Sequence, residues 1–128
     1  MSGVVVDTSV WIDFFAGRPA VTLEDALAQG VVVLPPLVVA ELVSGAKRAH
    51  ERTAIAGLVR ELAIHDTPLA HWVRVGELRR LLQDKGVAVS TPDAHVAQCA
   101  LDRDALLLSR DRIFARIAQA CRLRVHAG

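Results

Sequence analysis

Two aspartates follow the most strand-like runs of this sequence. Asp7 comes directly after Val4–Val6, and Asp111 comes three residues after Leu106–Leu108. The carboxyl ends of the strands of a parallel α/β sheet face one crevice, so both carboxylates are expected in a common cleft. Carboxylates that face each other repel, and such a site is tolerable only with a divalent cation or with raised pKa values. The pattern therefore favours metal-dependent hydrolysis of a phosphodiester.

Two further acids fit the same site. Glu41 lies within a predicted helix that is apolar on nearly every side, and ionised carboxylates are rarely buried unless they are paired or bound to metal. Asp93 follows Thr91 and Pro92, a typical helix start in which Thr91 is the predicted cap. Each aspartate alone also fits ordinary helix capping, but the set of four favours a site. The other aspartates fall in polar or loop surroundings and are interpreted as solvated surface: Asp13, Asp25, Asp66, Asp84, Asp102 and Asp104.

Composition indicates one domain over residues 1–128. The sequence is 52% hydrophobic but only 4% aromatic, and its apolar content is carried by Val, Leu and Ala, which suits a buried parallel sheet. No apolar run reaches the roughly 18–20 residues that span a bilayer, and no signal peptide is evident, so a cytoplasmic protein without membrane contact is expected. The net charge of +1 leaves nucleic-acid binding to a local patch. Cys99 and Cys121 show no zinc-binding spacing and are interpreted as buried free thiols.

Strand-like and helix-like segments alternate along the chain. Strands are predicted at residues 4–6, 31–34, 105–108 and 123–125, and helices at 37–44, 50–62, 69–85, 91–101 and 113–120, with two shorter helices before residue 30. Thr8 or Ser9 is the predicted cap of the first helix. This alternation predicts an α/β fold, a three-layer α/β/α domain with a small, mostly parallel sheet of four to five strands.

Four short segments carry a resemblance that covers essentially the whole chain in the right order. They are VDTSVWI from residue 6, AELVSG from residue 40, TPDAHVA from residue 91 and LLSRDRIF from residue 107. Together they resemble the four signatures of PIN-domain ribonucleases, and most closely those of VapC-type toxins of bacterial toxin–antitoxin pairs. Any one segment is a weak signal, whereas the ordered set in a chain this short is specific.

The resemblance implies a Mg²⁺- or Mn²⁺-dependent endoribonuclease with Asp7, Glu41, Asp93 and Asp111 as its catalytic and metal-binding residues. Asp7 and Asp93 are the expected direct ligands. Asp111 is expected to bind directly or through water, and Glu41 to bind through water or to orient the nucleophile. The resemblance also implies an RNA substrate, a cognate antitoxin protein as partner, and a homodimer or a hetero-oligomer with the antitoxin.

Five more residues are candidates for supporting roles. The hydroxyls of Thr8, Ser9 and Ser109 could orient carboxylates or contact a phosphate, although each fits helix capping equally well. Arg110 and Arg112 bracket Asp111 and are candidates to contact an RNA phosphate, the alternative being a solvated helix start.

Other functions are open but less favoured. A non-catalytic α/β binding protein would use the acids only as caps. A receiver domain would need a lysine after a later strand, and a haloacid-type phosphatase would need an acid where this chain has Ser9. A histidine-based ribonuclease would need two converging histidines. The five histidines show no such pairing in the sequence, and His95 is expected to be a surface or packing residue.

Overall fold

The structure, a computed structural model, describes residues 3–128 and alternates helices with strands. The elements in chain order are β1 (Val4–Val6), α1 (Thr8–Phe15), α2 (Val21–Ala28), β2 (Val32–Leu34), α3 (Pro36–Gly45), α4 (Ala49–Glu61), β3 (Ala63–Ile64), α5 (Leu69–Asp84), α6 (Thr91–Arg103), β4 (Leu106–Leu108), α7 (Arg112–Ala120) and β5 (Arg124–His126). No helix among residues 3–128 is both long and apolar enough to cross a membrane.

The five strands form one parallel sheet in the order β3-β2-β1-β4-β5. The valines of β1 and β2 are buried without alternation, which is the pattern of a parallel sheet covered by helices on both faces. The predicted α/β/α fold is therefore confirmed, and the sheet is parallel throughout.

The strand order reverses at β1. The chain moves outward from β1 to β2 and β3, and then returns to the other side of β1 with β4 and β5. Val6 is in register with Leu108, and the amide of Asp7 donates to the carbonyl of Leu108 at 2.9 Å. The carboxyl ends of β1 and β4 therefore flank the topological switch point, where open α/β sheets bind ligands.

The sequence missed strand β3 and misplaced several boundaries. Ala63–Ile64 is a two-residue, exposed edge strand, too short to show any periodicity. It pairs with the adjacent strand β2, and a local sequence pattern cannot reveal this pairing. The closing strand was predicted at residues 123–125 but lies at Arg124–His126. Leu123 is an apolar residue buried just before this strand, so the sequence pattern included it.

The apolar residues of α1 divide between core and surface. Trp11 is fully buried, whereas Ile12 is 57% exposed. Phe14 and Phe15 pack against the core at its edge and contact the Trp11 ring. Most of the hydrophobic content of this helix thus serves packing, and Ile12 is its exposed large hydrophobic side chain.

Helices α5 and α6 are joined by a polar network centred on Asp102. The Asp102 carboxylate accepts hydrogen bonds from Arg74 Nε at 2.8 Å, Gln98 Nε2 at 2.8 Å and His71 Nδ1 at 2.9 Å. Its side chain is only 13% exposed, so the interpretation of Asp102 as solvated surface is wrong. The partners lie up to 31 residues away in sequence, which is why local composition did not indicate the network.

His71 and His95 also meet in this network, contrary to the absence of pairing in the sequence. His71 Nε2 lies 2.8 Å from His95 Nδ1, and both side chains are fully buried. The Trp72 ring stacks on His95 with centroids 4.7 Å apart. His95 is therefore a packing residue, one of the two roles expected for it.

The Asp102→Asn substitution should destabilise the protein in a pH-dependent way. Burial raises the pKa of Asp102, but hydrogen bonds from Arg74, His71 and Gln98 outweigh burial and lower the pKa below its ordinary value of 3.8. A lowered pKa stabilises the fold above that ordinary value, and the stabilisation is lost as the pH falls. Urea denaturation at pH 7 should show a loss of about 1.5–3 kcal/mol.

The difference in the free energy of unfolding between wild type and Asp102→Asn should narrow steadily below about pH 4. Asp84→Asn, which changes an exposed aspartate on α5, is the control and should remain within about 0.5 kcal/mol of wild type at every pH. A difference in the free energy of unfolding that is constant with pH would show that the Asp102 charge does not contribute to stability.

Candidate active site

Asp7 is the buried acid at the end of β1. Its residue is 8% exposed, and its Oδ2 accepts hydrogen bonds from the hydroxyls of Ser9 and Ser109, both at 3.0 Å. The predicted capping of α1 by Thr8 or Ser9 is wrong, because Asp7 occupies the N-cap position and makes no side-chain cap bond. The serine hydroxyls instead fix the orientation of the Asp7 carboxylate.

The loop after β4 is tied to the loop after β1. Ser109 Oγ accepts from the amide of Asp111 at 3.1 Å while it donates to Asp7, and Ser9 Oγ accepts from the amide of Arg110 at 3.1 Å. Asp111, rather than Ser109, caps α7, because its Oδ1 accepts from the amide of Ile113 at 3.0 Å. One hydroxyl thus links the Asp7 side chain to the Asp111 backbone.

Asp93 lies in the first turn of α6. Its backbone amide donates to Ser90 Oγ at 3.2 Å, so Ser90 caps this helix and the predicted cap, Thr91, is its first residue. Burial raises the pKa of Asp93, and the Ser90 hydroxyl opposes that change. The negative charges of Asp111 and Asp7 raise the pKa further. Asp93 therefore lies within electrostatic range of both Asp111 and Asp7.

Glu41 reaches the same area from α3, although the reason for selecting it was wrong. The residue is exposed rather than buried, because Val38 and Leu42 form the buried side of the helix. Thr8 Oγ1 donates to Glu41 Oε1 at 3.0 Å. We call Asp7, Asp93, Asp111 and Glu41 the acidic cluster. Since Thr8 directly follows Asp7, this bond places Glu41 at the side of the three aspartates.

The donor set fits a hard divalent cation. Among residues 3–128, no ion pair is observed to any of the four acids, and their contacts are with hydroxyls and backbone amides. No three of them bring one oxygen each within 4.8 Å of one another. Oxygens bound directly to one Mg²⁺ lie about 2.0–2.1 Å from it, so bridging waters or a closing movement would complete the shell.

Arg110 and Arg112 are placed differently. The Arg110 guanidinium forms an ion pair with Asp13 and donates to the carbonyls of Ala127 at 3.2 Å and Pro19 at 3.3 Å. Asp13 is only 17% exposed in its side chain and also pairs with Arg18, so its interpretation as solvated surface is wrong. Arg112 is the exposed first residue of α7 and stays the better candidate for a phosphate contact.

Removal of the Asp111 charge should lower the pKa of Asp93. Asp111→Asn eliminates one of the charges that hold this pKa above its ordinary value, while the burial of Asp93 is unchanged. NMR titration of the Asp93 carboxyl carbon in metal-free protein measures the effect. Asp25→Asn, on the exposed surface of α2, should leave the titration unchanged. An unaltered Asp93 pKa in Asp111→Asn would show that the two carboxylates do not interact.

The chain is similar in fold to several solved VapBC structures. VapBC2 from Rickettsia felis, bound to a promoter DNA fragment, matches at 19% identity over 96% of both chains with a TM-score of 0.76. VapBC-1 from nontypeable Haemophilus influenzae matches at 21% identity over 96% of both chains with a TM-score of 0.75. VapBC-5 from Mycobacterium tuberculosis, a toxin–antitoxin system, matches at 24% identity over 98% of both chains with a TM-score of 0.64.

These similarities establish the fold alone, because all three structures share less than 25% sequence identity with the chain. No curated protein sequence matches the chain. The model of the PIN domain family matches residues 4–120, which include all four acids and the whole acidic edge of the sheet. This chain is a member of the PIN domain family.

Proposed function

We propose that this chain, a single PIN-like domain over residues 1–128, is a metal-dependent endoribonuclease and the toxin of a VapBC-type toxin–antitoxin pair. The observation that carries the proposal is the position of Asp7 and Asp111 at the switch point of the sheet, with Asp93 under the influence of both charges. PIN-family membership and the toxin–antitoxin neighbours support it.

In this proposal each acid has a distinct task. Asp7 and Asp93 bind Mg²⁺ or Mn²⁺ directly, because Asp7 is fixed by two serine hydroxyls and Asp93 by a capped helix start. Asp111 uses one oxygen to cap α7, which leaves the other for the ion or its water. Glu41, exposed and held by Thr8, binds through water or orients the attacking water.

A bound divalent cation supplies Lewis-acid polarisation of the phosphoryl oxygen and lowers the pKa of a bound water. The chain supplies the position of the carboxylates. Ser109 binds both the Asp7 carboxylate and the Asp111 amide, which joins the loop after β1 to the loop after β4. In this proposal Arg112, which is exposed and directly follows Asp111, contacts an RNA phosphate.

The Asp7→Asn variant should lose RNA cleavage without losing the fold. Asparagine can still accept the serine hydrogen bonds but removes the negative charge that binds the ion. Cleavage of a total RNA preparation by wild-type protein should require Mg²⁺ or Mn²⁺ and stop when a chelator is added. Asp25→Asn is the matched control and should cleave like wild type.

Sequencing of RNA 5′ ends after brief expression of wild type and Asp7→Asn would identify the cleaved RNA. New 5′ ends should appear only with the wild type. Cleavage that persists in Asp7→Asn or in excess chelator would contradict a carboxylate-bound ion. If RNA remained intact with metal bound, the protein would be a non-catalytic member of its family.

The antitoxin is the second part of the proposal, and α1 and α3 offer a place for it. A groove of about 400 Å³ lies between α1, α3 and α4, with the apolar side chains of Ile12, Phe15, Leu42 and Ile55 along it. Thr8 and Glu41 line the same groove, so it opens directly onto the acidic cluster. An apolar segment of an antitoxin seated there would cover the site and block RNA.

Homodimerisation, expected from the family resemblance, is supported by a separate surface. Leu69 and Val73 lie one turn apart on α5 and are 79% and 53% exposed. Adjacent exposed apolar residues of this kind are typical of protein contacts. This surface belongs to a different helix from the groove, so a dimer and an antitoxin could bind together.

The Ile12→Glu variant should weaken binding of the antitoxin encoded beside this chain. Ile12 is 57% exposed, so the change is tolerated by the fold but places a charge in the apolar groove. Calorimetric titration should show a loss of about 2 kcal/mol, or roughly 30-fold in Kd. Val21→Glu changes a similarly exposed apolar residue on α2, 64% exposed, and should bind like wild type. If Ile12→Glu and Val21→Glu bound the antitoxin with equal affinity, the antitoxin would not bind in this groove.

A further inference from the structure

A second cluster of metal-binding residue types lies away from the four acids. His65, His71 and Cys99 bring one potential ligand atom each within 4.8 Å of one another, and all three residues are buried. His65 follows β3, His71 lies on α5 and Cys99 lies on α6. In residues 3–128 this is the one group of three or more such side chains that meets this distance.

The donor atoms define the kind of ion. Two imidazole nitrogens and one thiolate suit Zn²⁺ and related transition metals, whereas Mg²⁺ prefers the oxygens of the acidic cluster. Zinc binds nitrogen at about 2.0–2.1 Å and sulfur at about 2.3 Å, so tetrahedral ligand atoms are about 3.3–3.8 Å apart. The ligand atoms lie within 4.8 Å of one another, so each pair would need to approach by no more than about 1.5 Å to reach this geometry.

His65 gives an independent indication of a missing ligand. The residue is 7% exposed, and its Nδ1 is buried without a hydrogen-bond partner. Its Nε2 lies 3.7 Å from Asp102 Oδ2, which is too far for a good hydrogen bond. Buried polar atoms without a partner are rare and are often explained by a water or ion. A cation between His65, His71 and Cys99 would satisfy this imidazole.

We propose that His65, His71 and Cys99 bind one Zn²⁺ or a similar transition-metal ion, at a site separate from the acidic cluster. In the occupied site His71 Nε2 would bind the ion in place of its contact with His95 Nδ1, now 2.8 Å away. His71 Nδ1 would continue to donate to Asp102 at 2.9 Å. A carboxylate that orients a metal-bound histidine in this way is a general feature of zinc sites.

The charges around the cluster are compatible with a dication. Asp102 contributes a carboxylate beside His65 and His71, and Cys99 would bind as a thiolate after its proton is released to solvent. Arg74 and Arg103 are the cations near this cluster; Arg74 is paired with Asp102. The fourth position of the ion is left for Asp102 or a water.

Such an ion would join three elements that otherwise meet only through side-chain packing and hydrogen bonds. The segment after β3, helix α5 and helix α6 would share one centre. Helix α6 also carries Asp93 at its other end, so the ion would fix the helix that presents this acid. Its effect on stability can be measured without any nuclease assay.

Titration of the full chain with Co²⁺, a spectroscopic substitute for Zn²⁺, tests the proposal. Wild-type protein should bind one Co²⁺ at this site and show a thiolate-to-cobalt charge-transfer band in the near ultraviolet. Cys99→Ala should lack the band. Cys121→Ala removes the other free cysteine, and Asp93→Asn alters the acidic cluster, so both should keep it. No band in wild type, or a band abolished by Cys121→Ala alone, would overturn the proposal.

His65→Phe is the second variant and covers the case in which Cys99→Ala fails to fold. Phenylalanine keeps an aromatic ring beside His71, where the centroids are now 5.5 Å apart, but removes both nitrogens. Partners outside the ligand shell alone change metal affinity by roughly 10–100-fold, so loss of a ligand should weaken Co²⁺ binding by at least about 100-fold. Zn²⁺ should raise the Tm of wild type and of Asp93→Asn by clearly more than that of His65→Phe, in which only the acidic cluster can still bind the ion. An equal rise in His65→Phe would show that the cluster binds no ion.

Discussion

The parallel pairing of β1 with β4 is the constraint on which the acidic site depends. Val6 and Leu108 are in register, so the residues that follow both strands emerge side by side at one edge of the sheet. Asp7 and Asp111 are therefore held near each other by the backbone, in spite of their mutual repulsion. The fold tolerates this because hydroxyl and amide donors from Ser9, Ser109 and Ile113 compensate the two carboxylates. A divalent cation would remove the remaining repulsion.

Helix α6 connects two polar clusters of different chemistry. Its first turn presents Asp93 to the acidic cluster, whereas its later turns bury His95 and Cys99 and bring Asp102 into hydrogen-bond contact with α5. Oxygen donors gather at the exposed crevice, whereas nitrogen and sulfur donors gather inside. If both proposed sites bind metal, this separation would let ligand type select a hard cation at the crevice and a softer one inside.

The fold and the acidic positions could be predicted from the sequence because both are encoded locally. Runs of Val and Leu with an acid just after them indicate buried strands and the edge where ligands bind. The order of the four motif segments indicated the family. Helix caps were predicted less well. Ser90 caps the helix for which Thr91 was the predicted cap, and Asp111 caps the helix for which Ser109 was an alternative. Neighbouring polar residues compete for one cap position, and only the backbone geometry decides between them.

The long-range polar contacts could not be predicted. Asp13 pairs with Arg110 across 97 residues, and Asp102 meets His71 across 31. Local surroundings made both aspartates look solvated, because a charged partner contributed by another element leaves no mark on the sequence nearby. Glu41 shows the opposite error: its apolar neighbours suggested burial, but its own side of α3 is exposed. Proximity to Thr8, rather than burial, keeps Glu41 in the site.

Anomalous diffraction from crystals soaked in Mn²⁺ tests the central claim most directly. The account predicts an anomalous peak at the crevice between β1 and β4, bounded by Asp7, Asp93 and Asp111, and its disappearance in crystals of Asp7→Asn. A crevice without a peak in wild-type crystals, or a peak that persists in Asp7→Asn, would contradict a carboxylate-bound ion at this edge of the sheet.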